Sequence, residues 1–424
     1  MIRDGTRRAL ATGMISQVGY KALGFVILAL LARQLSHQDY GKLMFALSLC
    51  LLTAMITDLG ASFDLVRRVA ARPAGARRRL TLILSARLPL LVLYLIGLNA
   101  FVALTKRDLW PVAAGIALYA VGKELHRTFS SLFQGLHRIV DTVVTYGSGL
   151  AVLTLGVVLG VLLNRGLAWM VGCYVIGAVV LVIIGANLAR RRVGKFPLRW
   201  RPGGIRRILG RSIFLFALTA MSLVHFSADT LMLGYLTSYA EVARYEAAAK
   251  LLEASQFLLR PMTMVLFPLS VQLATRGQWT RLLRLLHKMF AGALGIGLLA
   301  CAGVALLAGP IVRIVYSAAY DDSAMVLRVL YLSTPGLYVA TVGMFLAAAV
   351  HREKRAMVAM GVGVALNVAA NLWAIPRFGV LGAAWVTVGS QSLIACWLAI
   401  EAYHAVRERA SFDAGAGPIE PLDG

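Results

Sequence analysis

About twelve stretches of roughly twenty mostly apolar residues, separated by short polar connectors, recur along this 424-residue chain. A helix needs about 20 apolar residues to cross the hydrocarbon core of a bilayer. Lipid offers backbone amides no partner, so a span of this kind must satisfy its hydrogen bonds internally, as an α-helix does. Spans read near 9–33, 42–63, 80–104, 109–133, 139–163, 168–189, 212–236, 243–271, 289–312, 325–350, 355–375 and 380–403. Composition agrees: 59% of residues are hydrophobic and 15% charged, against roughly 45–50% and 25% in soluble domains. The expected fold class is all-α, a polytopic membrane protein embedded in the bilayer. The first run is too long for the core of a signal peptide and reads as a retained helix.

The net charge of +24 invites a nucleic-acid reading, but the basic residues sit in connectors between apolar runs. That is the pattern of membrane topology, so no nucleic-acid partner is expected. One set of alternate connectors is rich in cations. It includes Arg67–Arg79, Arg190–Arg211, Arg276–Lys288 and Arg352–Arg355, while the opposite set carries one or two each. The positive-inside rule makes the rich side cytoplasmic, and an even number of spans then places both termini there. The four cysteines lie singly within apolar runs and read as packing residues.

The longest basic connector, 190–211, divides the sequence into an N-terminal six-helix lobe (1–189) and a C-terminal one (212–405), followed by a cytoplasmic tail (406–424), Gly/Pro/Asp-rich toward its end, that is expected to be disordered. The halves echo each other. His137-Arg138 ends the fourth span and His351-Arg352 the tenth. Arg165-Gly166 follows the fifth and Arg377-Phe378-Gly379 the eleventh, with Trp169 and Trp385 further on. Six helices per half preserve orientation, so the repeat is parallel, as in transporters that rock two halves about a central site.

Ionisable groups inside spans are costly and mark function by default. Lys21 and Lys250 fall near the midplane; Arg87, Lys123 and Arg260 fall toward the cytoplasmic side. A cavity lined by these five cations would draw an anion such as a pyrophosphate from the cytoplasm. In the eighth span Glu246, Lys250, Glu253 and Arg260 form one stripe of alternating sign. The stripe either neutralises itself or lines a wet cavity. Asp229, near the outer end of the seventh span, Asp58, near the inner end of the second, and Glu124 complete the interior acids.

Several short motifs in order carry a family resemblance. They include Leu31-Ala32-Arg33-Gln34-Leu35 with Asp39-Tyr40-Gly41, Asp58-Leu59-Gly60, Phe133-Gln134-Gly135, Asp229 to Gly234, Tyr245-Glu246-Ala247-Ala248, Phe267-Pro268, Ala319-Tyr320 and Phe378-Gly379-Val380-Leu381-Gly382. Over residues 5–405 the chain resembles the polysaccharide transporter family, the O-antigen-flippase-like branch of the multidrug/oligosaccharidyl-lipid/polysaccharide flippase superfamily. The resemblance implies two pseudo-symmetric six-helix bundles in a V shape, in the bacterial inner membrane. It implies a flippase that moves undecaprenyl-pyrophosphate-linked oligosaccharide to the periplasmic leaflet by ion-coupled alternating access, for O-antigen, lipopolysaccharide or exopolysaccharide synthesis, beside a polysaccharide polymerase. Asp229 matches the family's seventh-span acid and is the first ion-coupling candidate. Glu124, Asp58, Glu246 and Glu253 follow it.

Two other readings compete. A multidrug cation antiporter of the same superfamily expects a cavity of acids and aromatics, whereas the interior excess here is basic. A polytopic glycosyltransferase or ligase needs an acid in an outer loop, for which Asp321-Asp322 is the candidate. No Walker A, HExxH or nucleophile-elbow motif is present. No catalytic residue, metal site or cofactor is expected, and the chain reads as a non-enzyme.

Overall fold

Every long apolar run forms a helix, because in lipid the i→i−4 ladder is the cheapest way to pair each amide. The computed structural model describes the backbone of residues 2–197 and 203–415, and side chains for 16, 19–197, 216, 220–221, 223–259, 262–263 and 266–411. The helices are α1 (Ile2–Gln34), α2 (His37–Ala54), α3 (Ala61–Ala71), α4 (Ala76–Thr105), α5 (Trp110–Gly135), α6 (Ile139–Leu162) and α7 (Leu167–Val193). They continue as α8 (Gly203–Leu236), α9 (Tyr239–Ser255), α10 (Arg260–Thr275), α11 (Trp279–Tyr316), α12 (Ser323–Tyr331), α13 (Thr334–Ala349) and α14 (Glu353–Gly415).

These helices fall on the expected spans, several of them in two pieces. A 3-10 turn at Gln256–Leu259 separates α9 from α10, whose first turn carries a proline, a position where the missing amide costs nothing. The α12–α13 pair bends by 45°. Within α14 the residue Gly379 adopts φ 57°, ψ −137° and divides it into limbs 353–378 and 380–415. Only glycine reaches that conformation cheaply. Among the described residues six helical stretches qualify as spans by length and apolar character alone, and seven with the bent pair. Of the rest, α5 and α9 carry the interior charges.

The surface differs from that of a water-soluble fold. Leu104 is 87% and Leu306 81% exposed, while Arg87 is 2% exposed. Large apolar side chains lie on the surface around a mostly apolar core that also holds a few charges, as a lipid solvent permits.

Two compact units emerge, Met1–Gly234 with Ser238–Ala243, and Arg244–Gly424 with Tyr235–Thr237. Their division does not coincide with the connector at 190–211, because the C-terminal end of α8 is held in the first unit. Lys106 after α4 donates to Gly234 O at 2.6 Å, and the Phe45 and Tyr239 rings meet edge to face at 5.9 Å. In the first unit Leu65 and Val69 of α3 pack with Leu80 and Ile83 of α4 and Leu132 and Phe133 of α5. The basic connector after the second span is therefore partly an amphipathic helix with Arg67 and Arg68 turned outward.

In the second unit Leu282, Leu286 and Met289 of α11 pack with Tyr338, Val342 and Leu346 of α13 and with Ala402, Ala405 and Val406 of α14. Residues 406–415, expected to begin a tail without regular structure, thus continue the last helix. Val406 and Ala410 are buried, and burying them stabilises that extension. Residues 416–424 lie outside the described residues.

The repeat has a backbone signature. His137 and His351 both adopt left-handed φ, 56° and 59°. Arg138 N donates to Phe133 O and Arg352 N to Ala347 O, each at 2.7 Å. His137 N and His351 N reach Gln134 O at 3.0 Å and Ala348 O at 3.3 Å. This pair of bonds is the Schellman cap, built from the same His-Arg dipeptide in both halves.

A half-buried lysine among tyrosines and a buried arginine hub

The first unit sorts its interior charges into two groups. The first is a hub around Arg87 of α4. The chain leaves α2 through a 3-10 turn, Met55–Asp58, and reverses at Leu59 and Gly60, both left-handed. This turn sets Asp58 at the start of α3, where its carboxylate accepts from Ser62 Oγ at 2.5 Å and Ser62 N at 3.4 Å. Arg87 Nη1 meets Asp58 Oδ1 at 2.9 Å and Nη2 meets Glu124 Oε2 at 2.7 Å. The same guanidinium donates to Thr128 Oγ1 at 2.5 Å. Arg127 adds a contact to Glu124 Oε1 at 3.4 Å. Two carboxylates and two guanidinium groups balance. Such charge-assisted bonds are strong, and a buried arginine with two acids is tolerable because both terminal nitrogens are paired, while its Nε has no partner among the described residues.

Two further buried acids of this unit, Asp141 and Asp64, are also tied to arginine. Asp141 holds Arg192 at 2.7 and 3.0 Å, and Asp64 holds Arg68 at 2.8 Å and Arg67 at 3.5 Å.

The second group surrounds Lys123 of α5. By about 1.5 Å of rise per residue, Lys123 sits roughly 20 Å from Trp110 and 18 Å from Gly135, near the middle of its helix. Its Nζ lies 4.8 Å from the centre of the Tyr146 ring, contributed by α6. Tyr20 of α1 packs edge-on against Tyr146 at 5.1 Å and donates to Val143 O at 2.7 Å. His126 stands 5.6 Å from Tyr146. Tyr119 meets Tyr174 of α7 at 5.0 Å. Lys123, Tyr20, Tyr119 and Tyr146 remain half-buried, whereas His126 is buried. No carboxylate ion-pairs with Lys123 among the described residues. Its partner is the negative face of a ring.

Elsewhere in the first unit, Lys21 is exposed on α1. Asp229 and His225 are buried one turn apart on α8, beside the buried Ser227 and Thr230.

In the second unit Lys250 of α9 pairs with Glu246 at 3.6 Å and with Glu253 at 3.1 Å. These three members of the expected stripe pair with one another on one helix face. The Arg260 side chain lies outside the described residues. The two limbs of α14 and α9 bring together a neutral polar set. Asn371 Nδ2 donates to Asn367 Oδ1, and Asn367 Nδ2 to Ser390 Oγ, both at 3.2 Å. The Tyr245 and Thr387 hydroxyls are 3.4 Å apart. The acidic pair of the 321–322 loop is also engaged. Arg313 grips Asp321 with two nitrogens, the Nη2 contact at 2.5 Å, and Arg244 reaches Asp322 at 3.3 Å. The Arg313 hydrogen bonds and charge hold the Asp321 carboxyl below its ordinary value.

The structure therefore joins Arg87 to Asp58 and Glu124, and Lys250 to Glu246 and Glu253, while Lys123 keeps separate aromatic company. The tyrosines and His126 were missed in the sequence. Their signal was present: Tyr119, Lys123 and His126 are spaced 4 and 3 along one helix, a single face. Tyr20, Tyr146 and Tyr174 come from other helices, and no spacing rule reaches them.

A family model described as "Polysaccharide biosynthesis protein" matches residues 8–274. No curated protein matches the sequence. Among solved structures, the fold resembles the lipid II flippase MurJ in an inward closed conformation, with TM-score 0.75 and 11% identity over 96% of this chain and 93% of that one. It resembles the inward-facing conformation of a multidrug resistance MATE family transporter of the MOP superfamily, with TM-score 0.70 and 13% identity over 94% and 96%. A further likeness, TM-score 0.60 and 15% identity over 94% and 93%, is to a MOP superfamily transporter from Pyrococcus furiosus described as having a binding pocket of reverse polarity.

Proposed function

The chain belongs to the polysaccharide biosynthesis protein family, and on that premise we propose that it is a flippase for polyprenyl-pyrophosphate-linked oligosaccharide. It carries the cargo from the cytoplasmic to the outer leaflet of the bacterial inner membrane, with both termini in the cytoplasm, for surface polysaccharide synthesis. The two halves alternate in access, driven by an ion whose first candidate site is Asp229. Lys21 and Lys123 serve the anionic head, whereas Arg87 and Lys250, each engaged by two carboxylates, hold the interiors of their units.

Lys123 carries this reading. A lysine ammonium at mid-helix is expensive in a membrane. One that faces phenol rings and no carboxylate can recover that cost by receiving an anion. A multidrug cation antiporter shares the fold but calls for an acid available to an organic cation. The buried acids Asp58, Asp64, Glu124 and Asp141 each meet an arginine, which favours the anionic cargo. The transferase reading loses support at its only loop candidate. A general base is most effective with a pKa near the working pH, whereas Arg313 drives Asp321 the other way.

The test is complementation in a strain lacking this gene. At wild-type protein levels, Lys123→Ala fails to restore surface polysaccharide and Lys123→Arg restores part of it. Full restoration by Lys123→Ala overturns the assignment.

A further inference from the structure

Tyr146 is approached by two basic side chains from one helix face. Lys123 lies 4.8 Å from its ring centre and the His126 ring 5.6 Å from it. His126 is 7% exposed, and its Nδ1 has no hydrogen-bond partner among the described residues. Buried side-chain nitrogens are nearly always paired. An orphan beside a half-buried ammonium is a place where a group arrives later.

We propose that Lys123 and His126 form a proton-linked seat for a dianionic diphosphate, in which His126 takes up a proton as the anion binds. The proposal rests on the cargo reading above and adds a second binding group to it. A diphosphate esterified at both ends carries two fixed negative charges. Lys123 supplies one positive charge. The uncompensated charge would sit in a low-dielectric interior, where it is costly. Imidazole is the side chain whose charge changes most readily near neutral pH, and a proton on His126 makes the loaded seat neutral. The bookkeeping is simple: one water-borne proton joins an imidazole nitrogen on loading and leaves with the anion.

The groups facing His126 leave that role to it. Tyr146 of α6 meets its ring, and Lys123 acts on it from its own helix. Tyr20 of α1 reaches the other side of Tyr146. Tyrosine hydroxyls offer hydrogen bonds to an anion but no positive charge. Glu124 and Arg127 on the same helix are committed to the Arg87 hub. No carboxylate ion-pairs with His126 among the described residues.

The experiment is calorimetric binding of a short-chain prenyl diphosphate joined to N-acetylglucosamine. The full chain is used in detergent, in two buffers of different ionisation enthalpy. Wild type takes up about one proton per diphosphate near neutral pH, and its affinity falls up to about tenfold per pH unit as the solution is made alkaline. His126→Gln, and His126→Asn as a second neutral isostere, bind as wild type does at alkaline pH but take up no proton and gain no affinity on acidification. An unchanged proton count in both variants overturns the proposal. Wild-type binding without proton uptake also overturns it but leaves the cargo reading standing; absence of binding removes both.

Discussion

Arg87 shows how far burial changes the meaning of a charge. In the sequence it is one of five membrane cations offered to an anion. In the structure both of its terminal nitrogens are occupied by Asp58, Glu124 and Thr128. Removing it strands two buried carboxylates, so Arg87→Ala should cost about 3–5 kcal/mol of stability, read as a large loss of thermal stability of the purified protein. A change below about 1 kcal/mol, the range of exposed pairs, would contradict the hub. Lys123 behaves differently. It has no carboxylate partner among the described residues to strand, so the proposed function expects its loss to act on transport rather than folding. Sequence could list these cations but not sort them, because pairing depends on neighbours from the 55–58 turn, α5 and α6 that lie far away along the chain. The two acids of the hub were legible only as separate candidates, and the rings around Lys123 were not legible as a group.

Helices were the most legible element, since lipid imposes the 20-residue apolar run directly. Breaks were harder. The Gly379 reversal follows from Pro376-Arg377-Phe378-Gly379, which the sequence shows. The extension of α14 past residue 405 does not, because it depends on Val406 finding the α11–α13 core. Likewise α3 hides in a basic connector, with an apolar face of only a few residues. Close helix contacts rest on small residues. Gly297 of α11 abuts the start of α13. Thr334 Oγ1 donates to Gly297 O at 2.9 Å, and a Cβ on Gly297 would come within 2.6 Å of the Pro335 Cα. Backbone cannot give way as a side-chain tip can. Gly297→Val should therefore cost about 1–3 kcal/mol or more through overpacking, seen as a lowered unfolding temperature. An unchanged temperature would show that α11 and α13 do not cross there.

For the whole molecule, the His-Arg part of the repeat is also a repeat of backbone geometry, with left-handed His137 and His351 closing matching caps. The fold is shared with proteins whose descriptions name lipid II and multidrug resistance, so fold alone leaves the cargo open. What separates the readings under the proposed function is Lys123 near the middle of α5, a lysine among tyrosines, where an antiporter of cations calls for an acid. Reconstitution tests this most directly. The purified chain is placed in vesicles containing a fluorescent short polyprenyl diphosphate-linked glycan, and exposure of the label to a membrane-impermeant quencher is followed. The wild-type chain should raise the quenchable share above that of the outer leaflet, and Lys123→Ala should not. Vesicles in which the wild type leaves the labelled glycan in place, yet moves an organic cation, would contradict the account.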